Sequence, residues 1–204
     1  MKYLRLSFLL IYIFSGQGLL NAKESSVLDI TEEDFVIGNV DAPITIIEYA
    51  SMSCRHCANF HNITLPDLKK EYIDTGKVKF VFRDYPYNFP ALLGSMIMRC
   101  TPNEVRYDYM NGLYKLQEQW VLKENVKTTQ ELYKIMQSGG MKKEDFEACL
   151  NNKDLEDKII QEIIDAQDEF QIKNTPSFLV NGNLFAGNKS IKEFRQIIDK
   201  ILSE

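Results

Sequence analysis

The feature that most constrains this chain is a seven-residue apolar run, Ile44–Ala50 (ITIIEYA), that leads through Ser51-Met52-Ser53 into Cys54-Arg55-His56-Cys57. The run follows Pro43 and is rich in β-branched residues, and at this length it predicts a buried strand rather than a helix. From Cys54 the pattern turns helical to about Thr75, where Gly76 can close it. Pro66 falls inside that helix and is expected to kink it. Residues 77–83 (KVKFVFR) read as a second strand. Strand, helix and strand in this order form the unit of a parallel sheet. The two cysteines therefore sit between a buried strand and the start of a helix.

The remaining pattern organises around that unit. About residues 90–172 contain no convincing strand. Helical segments are expected to open at Asn103, at Thr129 and at Lys142-Lys143-Glu144, with Gly139-Gly140 separating two of them. Residues 154–170 are strongly periodic and charged on one side. This stretch reads as an all-helical insertion. The sheet resumes at Ser177–Val180, turns at Asn181-Gly182 and returns through residues 184–186. Ser190 with Glu193 forms a capping box for a last helix, whose apolar face is Ile191, Phe194, Ile197, Ile198 and Ile201. The expected fold class is α/β, with residues 23–34 a polar lead-in and residues 35–204 one domain carrying the helical insertion.

Residues 1–22 are set apart from that domain. Lys2 and Arg5 precede an uncharged apolar run, residues 6–14, which Gly16 and Gly18 break before Leu20-Asn21-Ala22. A bilayer takes about 20 apolar residues, so the run is short for a span and reads as a cleaved secretory signal. An uncleaved anchor is the alternative. The whole chain of 204 residues has a formal net charge of -5, and loss of Lys2 and Arg5 makes the remainder more negative. No basic, aromatic-rich cluster accompanies it, which argues against nucleic acid as a partner. All four cysteines, Cys54, Cys57, Cys100 and Cys149, lie beyond the signal. An even number in an oxidising compartment suggests two pairs.

A C-x-x-C at a helix start suits redox chemistry for physical reasons. The spacing brings two sulfurs together, and the helix N-terminus offers free N–H groups and partial positive charge to the first of them. Arg55 and His56 add positive character between the cysteines. A thiolate is the reactive species, so Cys54 is the candidate nucleophile and the deeper Cys57 the resolving thiol. Three rival readings exist. A purely structural Cys54–Cys57 bond fits poorly behind a buried strand. Zinc on Cys54, Cys57 and His61, with or without His56, lacks a second knuckle. Covalent haem attachment needs C-x-x-C-H, and residue 58 is Ala58.

Thr175-Pro176 precedes the later strand. A cis bond there would expose the Thr175 backbone to an incoming peptide as an added strand, whereas a trans proline would simply start the strand. The strand–C-x-x-C–helix unit, residues 80–86 (FVFRDYP), Thr175-Pro176-Ser177-Phe178, Val180-Asn181-Gly182 and the 38–43 lead-in (GNVDAP) together resemble the DsbA family. The resemblance covers roughly residues 35–204. It implies a thioredoxin fold interrupted by a helical domain, a cis bond before Pro176, and disulfide donation to thiol-containing secreted proteins. It also implies reoxidation by an inner-membrane, quinone-linked partner. Well-known members carry C-P-H-C, so His56 matches and Arg55 departs.

Glu48 is the one charged residue in the ITIIEYA run. A buried carboxyl group there would have a raised pKa and could exchange protons with Cys57; at a strand edge it would face water. The resemblance places a buried acid at this position. Cys100 and Cys149 both fall in the insertion and are expected to form a structural crosslink, with a second shuttle pair as the alternative. The expected activity is a periplasmic oxidant of protein thiols, monomeric and needing no metal or organic cofactor. A reductase or isomerase and a non-catalytic peptide-binding module are the competing functions.

Overall fold

The computed structural model describes residues 28–204, so the signal expected at residues 1–22 lies outside the described residues. Five strands, β1 (Phe35–Ile37), β2 (Ile44–Ala50), β3 (Val78–Asp84), β4 (Ser177–Val180) and β5 (Asn183–Ala186), form one sheet in the order β1-β3-β2-β4-β5. Strands β2 and β3 are parallel, as the strand–helix–strand pattern requires, and the other pairs are antiparallel. The short edge strand β1 is not apparent in the sequence.

Alternation along β2 divides the core into two faces. Ile44, Ile46 and Ala50 join Phe60, Phe80, Phe178 and Phe194 on one face. Ile47 and Tyr49 join Val81, Leu179, Ala166 and Ile172 on the other. Both faces are covered, which explains the nearly continuous apolar run. Glu48 alternates with the first set. In the sheet it is paired with Phe82 on one side and Phe178 on the other.

The helix after Cys54 does run to the turn at Gly76, but unevenly. It consists of α1 (Arg55–Asn59), a π-helical turn at Phe60–Thr64, α2 (Leu65–Leu68) and a second π-helical turn at Lys69–Ile73. Pro66 has no N–H for the carbonyl of Asn62, so the ladder widens just before it. Gly76, at φ +75°, ends the run with its N–H on the Ile73 carbonyl.

The insertion is helical throughout: α3 (Phe89–Cys100), α4 (Asn103–Lys115), α5 (Gln117–Trp120), α6 (Asn125–Ser138), α7 (Lys143–Leu150) and α8 (Lys153–Phe170). Helix α6 opens four residues before the expected Thr129. Thr128 explains the difference, because it is buried and its hydroxyl bonds both the N–H and the carbonyl of Leu122, fastening the first turn to the preceding loop. At the other end of the sheet, Asn181 and Gly182 take positive φ values of 44° and 83°, as a tight hairpin requires. Helix α9 (Ile191–Ser203) starts on the Ser190–Glu193 capping box and buries Phe194 and Ile198.

Candidate active site

Cys54 stands at the N-cap of α1 in extended conformation, and its N–H closes a turn onto the Ser51 carbonyl at 3.0 Å. Helical insertion and sheet domain both hold this turn. Gln117 of α5 donates from Nε2 to the carbonyls of Met52 (2.9 Å) and Cys54 (3.1 Å). Ser53 donates to Asn88 Oδ1 at 3.0 Å, and the same oxygen caps α3 by accepting from the Ala91 N–H. Met52 fits against α3 only because Gly94 has no side chain: a Cβ there would lie 2.8 Å from Met52 Cβ and 2.9 Å from the Trp120 ring. Gln117 and Gly94 carry no local signal that sequence reasoning could have used, whereas Asn88 followed by Pro90 is a helix-start pattern visible in the sequence.

The Thr175–Pro176 bond is cis, and it brings the Thr175 carbonyl to 3.3 Å from Cys54 Sγ. Residues 121 positions apart in the chain thus meet at the reactive sulfur. Both cysteines are free thiols in this structure; Cys54 is 7% exposed and Cys57 fully buried. Their acidities diverge. The Cys54 pKa is lowered to about 5, first by a hydrogen bond from the Cys57 thiol, against the opposing effect of burial, then by hydrogen bonds from Thr175 and from the N–H groups of Cys57 and His56. The Cys57 pKa is raised, first by burial, then by its bond to Cys54 and by the charges of Glu48 and Cys54. His56 acts on Cys54 through its backbone. The Arg55 side chain is exposed and lies 3.9 Å from Glu118.

Glu48 is fully buried beneath this helix. Burial raises its pKa, the charge of His61 and its hydrogen bond lower it, and the Cys54 charge raises it. His61 Nε2 lies 2.8 Å from Glu48 Oε2, with both side chains wholly inaccessible. The imidazole is stacked on Tyr114 of α4, with ring centroids 4.1 Å apart. In the sequence His61 appears only as a candidate zinc ligand; the structure commits it to Glu48. Among the described residues no cluster of three or more His, Cys, Asp or Glu is placed to hold a metal ion.

Cys100 and Cys149 are joined by a disulfide that links the end of α3 to α7. Arg99, adjacent to Cys100, points elsewhere and bridges Asp84 and Glu162.

A sheet of this order, with a C-x-x-C helix at the end of a central strand and a cis-proline loop against the first sulfur, defines a thioredoxin fold with a dithiol site. A family model described as Thioredoxin matches residues 30–200. The solved structure of Wolbachia pipientis alpha-DsbA1 is 30% identical, with a TM-score of 0.80 over 85% of this chain and 93% of that one. A Rickettsia conorii protein named "Putative protein-disulfide oxidoreductase RC0029" is 33% identical over 86% of this chain, which spans 62% of that relative's length. Bacillus cereus "Probable disulfide bond formation protein D" is 28% identical, over 82% of this chain and 78% of that protein. The chain belongs to the thioredoxin family, within its DsbA group.

Proposed function

We propose that the chain is an exported protein thiol–disulfide oxidoreductase that donates its Cys54–Cys57 disulfide to reduced secreted or periplasmic proteins. The observation that carries this reading is the divergence of the two thiols: Cys54, 7% exposed and with a pKa of about 5, against a fully buried, weakly acidic thiol at Cys57. In the oxidised protein a substrate thiolate attacks Cys54 Sγ. The Cys54–Cys57 bond breaks, a mixed disulfide forms, and Cys57 leaves as a thiolate that takes up a proton. The substrate's second thiolate then attacks its own sulfur in the mixed disulfide. The substrate disulfide forms and Cys54 leaves as a stable thiolate, a good leaving group because its pKa is low.

The other residues fit supporting roles. The Thr175 backbone beside Sγ offers an extended edge on which a substrate peptide can lie, with Pro176 fixing that edge. Arg55 and His56 at the site's mouth tune the redox poise. Glu48 serves proton exchange at Cys57, and the Cys100–Cys149 bond is a structural crosslink. Exchange of this kind needs no metal or organic cofactor. Reoxidation by a quinone-linked inner-membrane partner, periplasmic location after signal cleavage, and a monomeric state complete the reading, supported by the DsbA kinship. The oxidised protein should transfer one disulfide per molecule to a reduced, unfolded substrate, and Cys54→Ser should abolish transfer. Unchanged transfer by Cys54→Ser would refute the assignment.

A further inference from the structure

We infer that His61 is a positioning residue for proton exchange at Cys57: it shares one proton with Glu48, and the pair acts as a single buried acid that is neutral whenever that proton is held. The inference rests on the oxidoreductase reading and adds to it the group that lets Glu48 change protonation state in place.

His61 follows Cys57 by four residues on the same helical run, so both approach the sheet face from which Glu48 projects. The imidazole is held on three sides, by the Tyr114 ring, the Phe82 ring at 5.8 Å and the Phe60 ring at 5.4 Å. Its bond to Glu48 is therefore a fixed contact. The titratable groups that act here are Cys54 and Cys57 from the active helix, Tyr114 from α4, and Asp84 at the end of β3, which is already paired with Arg99 at 2.7 Å. Each of those four, when ionised, is negative. Among the described residues no lysine or arginine forms an ion pair with Glu48, and His61 is the one basic side chain that does.

A lysine in this place would stay charged and hold Glu48 as a carboxylate. Imidazole can release its charge and still donate a hydrogen bond as the neutral ring. The pair can then move between net charge 0 and -1 without breaking its bond. Glu48 Oε1 and His61 Nδ1 are buried and have no hydrogen-bond partner among the described residues, so among these the link between the two is the one that binds either side chain to a polar group.

The proton balance follows. When substrate attack frees Cys57 as a thiolate, the pair gives it the shared proton, and negative charge moves from sulfur to the Glu48–His61 unit. When Cys57 re-forms the disulfide from a mixed disulfide at Cys54, the unit takes the proton back. The Cys57 electron pair makes the Cys54–Cys57 bond, and the departing thiol leaves Cys54 as a thiolate.

The test is single-turnover closure of a Cys54–glutathione mixed disulfide, followed by glutathione release across pH 5 to 9. The wild-type rate should show an inflection from the unit. His61→Gln, which keeps an N–H donor and cannot titrate, should lose that inflection and slow closure at least about tenfold near neutral pH. Glu48→Gln should do the same, and the double variant should be no slower than either single one. Wild-type rate and inflection in His61→Gln, or effects that multiply in the double variant, would overturn the inference. If His61→Gln does not fold, ring ¹⁵N shifts decide the matter in the unaltered protein, whose two histidines are distinguished by the exposure of His56. The His61 signals should titrate differently in the oxidised and reduced forms, and identical titrations would overturn the proposal. A wild-type mixed disulfide that never closes would bring down the oxidoreductase reading as well, whereas normal wild-type closure with an unaffected His61→Gln removes this inference alone.

Discussion

Two cysteine pairs in one chain meet opposite fates. Cys100 and Cys149 are 49 residues apart and bonded, at the ends of helices whose neighbouring charges are paired with one another. Cys54 and Cys57 are free, three residues apart, and sit where a strand, a helix start and a cis-proline loop converge. The side chain is the same; the surroundings differ in whether hydrogen-bond donors point at sulfur. At Cys54 a thiol, the Thr175 side chain and two backbone N–H groups do so, and together they outweigh the burial that opposes ionisation. The Cys149 sulfur is held in its bond to Cys100 and lies 3.0 Å from the Met96 carbonyl. Reactivity therefore follows from local donors, while the stabilising effect of a crosslink follows from the length of chain enclosed.

The sharpest way to break this comparison is to remove the long-range bond. Replacing Cys100 and Cys149 together with serine should lower stability by up to about 4 kcal/mol in the chain-entropy model for a loop of this length. Cys54–Cys57 exchange should survive. Equilibrium denaturation together with a disulfide-transfer assay checks both halves, and loss of transfer in a folded variant would merge the two roles.

A smaller effect should separate the redox states of the short pair. The folded-state pKa of Cys54 is below its ordinary value of 9.0. A lowered acid pKa adds stability that is complete above the unfolded pKa and disappears as pH falls through the folded one. Its window here runs from about 9 down to about 5. At pH 7 roughly two units remain, a thiolate contribution of about 2–3 kcal/mol to the reduced protein, which the lost crosslink of the short loop partly offsets. Cys57, whose pKa is raised, is a neutral thiol in both folded and unfolded chains at this pH and adds nothing. Paired denaturation with Cys100–Cys149 intact should show the reduced form more stable at pH 7 and the advantage shrinking toward pH 5.

The smallest expected change is at Thr175. Thr175→Val keeps the shape and the backbone but removes a donor to the thiolate, so the Cys54 pKa should rise by a fraction of a unit to one unit, about 1 kcal/mol. The pH dependence of alkylation at Cys54 measures it.

Much of this arrangement is legible before any coordinates. The alternation of ITIIEYA already puts Glu48 on the same face as Ile46 and Ala50, and the C-x-x-C helix must pack on one face of that strand. The Asn181-Gly182 hairpin and the Ser190–Glu193 cap are local and follow from residue type. Strand β1 is hidden because three residues carry too little pattern; it exists through its pairing with Phe80, Val81 and Phe82. The helix start at Asn125 is hidden because Thr128 serves a tertiary contact in place of a cap. His61 and Gln117 are hidden for the same reason at the site. Their partners lie 13 and 63 residues away in sequence, and only the fold reveals that an imidazole is hydrogen-bonded to the acid and an amide ties down the turn.

The central claim is that the surroundings of Cys54 make its disulfide oxidising. Equilibrating the protein with glutathione buffers at neutral pH, and reading the Cys54–Cys57 state by alkylation, tests that claim most directly. A thiolate so strongly favoured predicts a reduction potential more oxidising than about -180 mV, the region of protein disulfide isomerase. A pair that stays oxidised in buffers poised near -270 mV, where thioredoxin lies, would contradict the account and make this site a reductant.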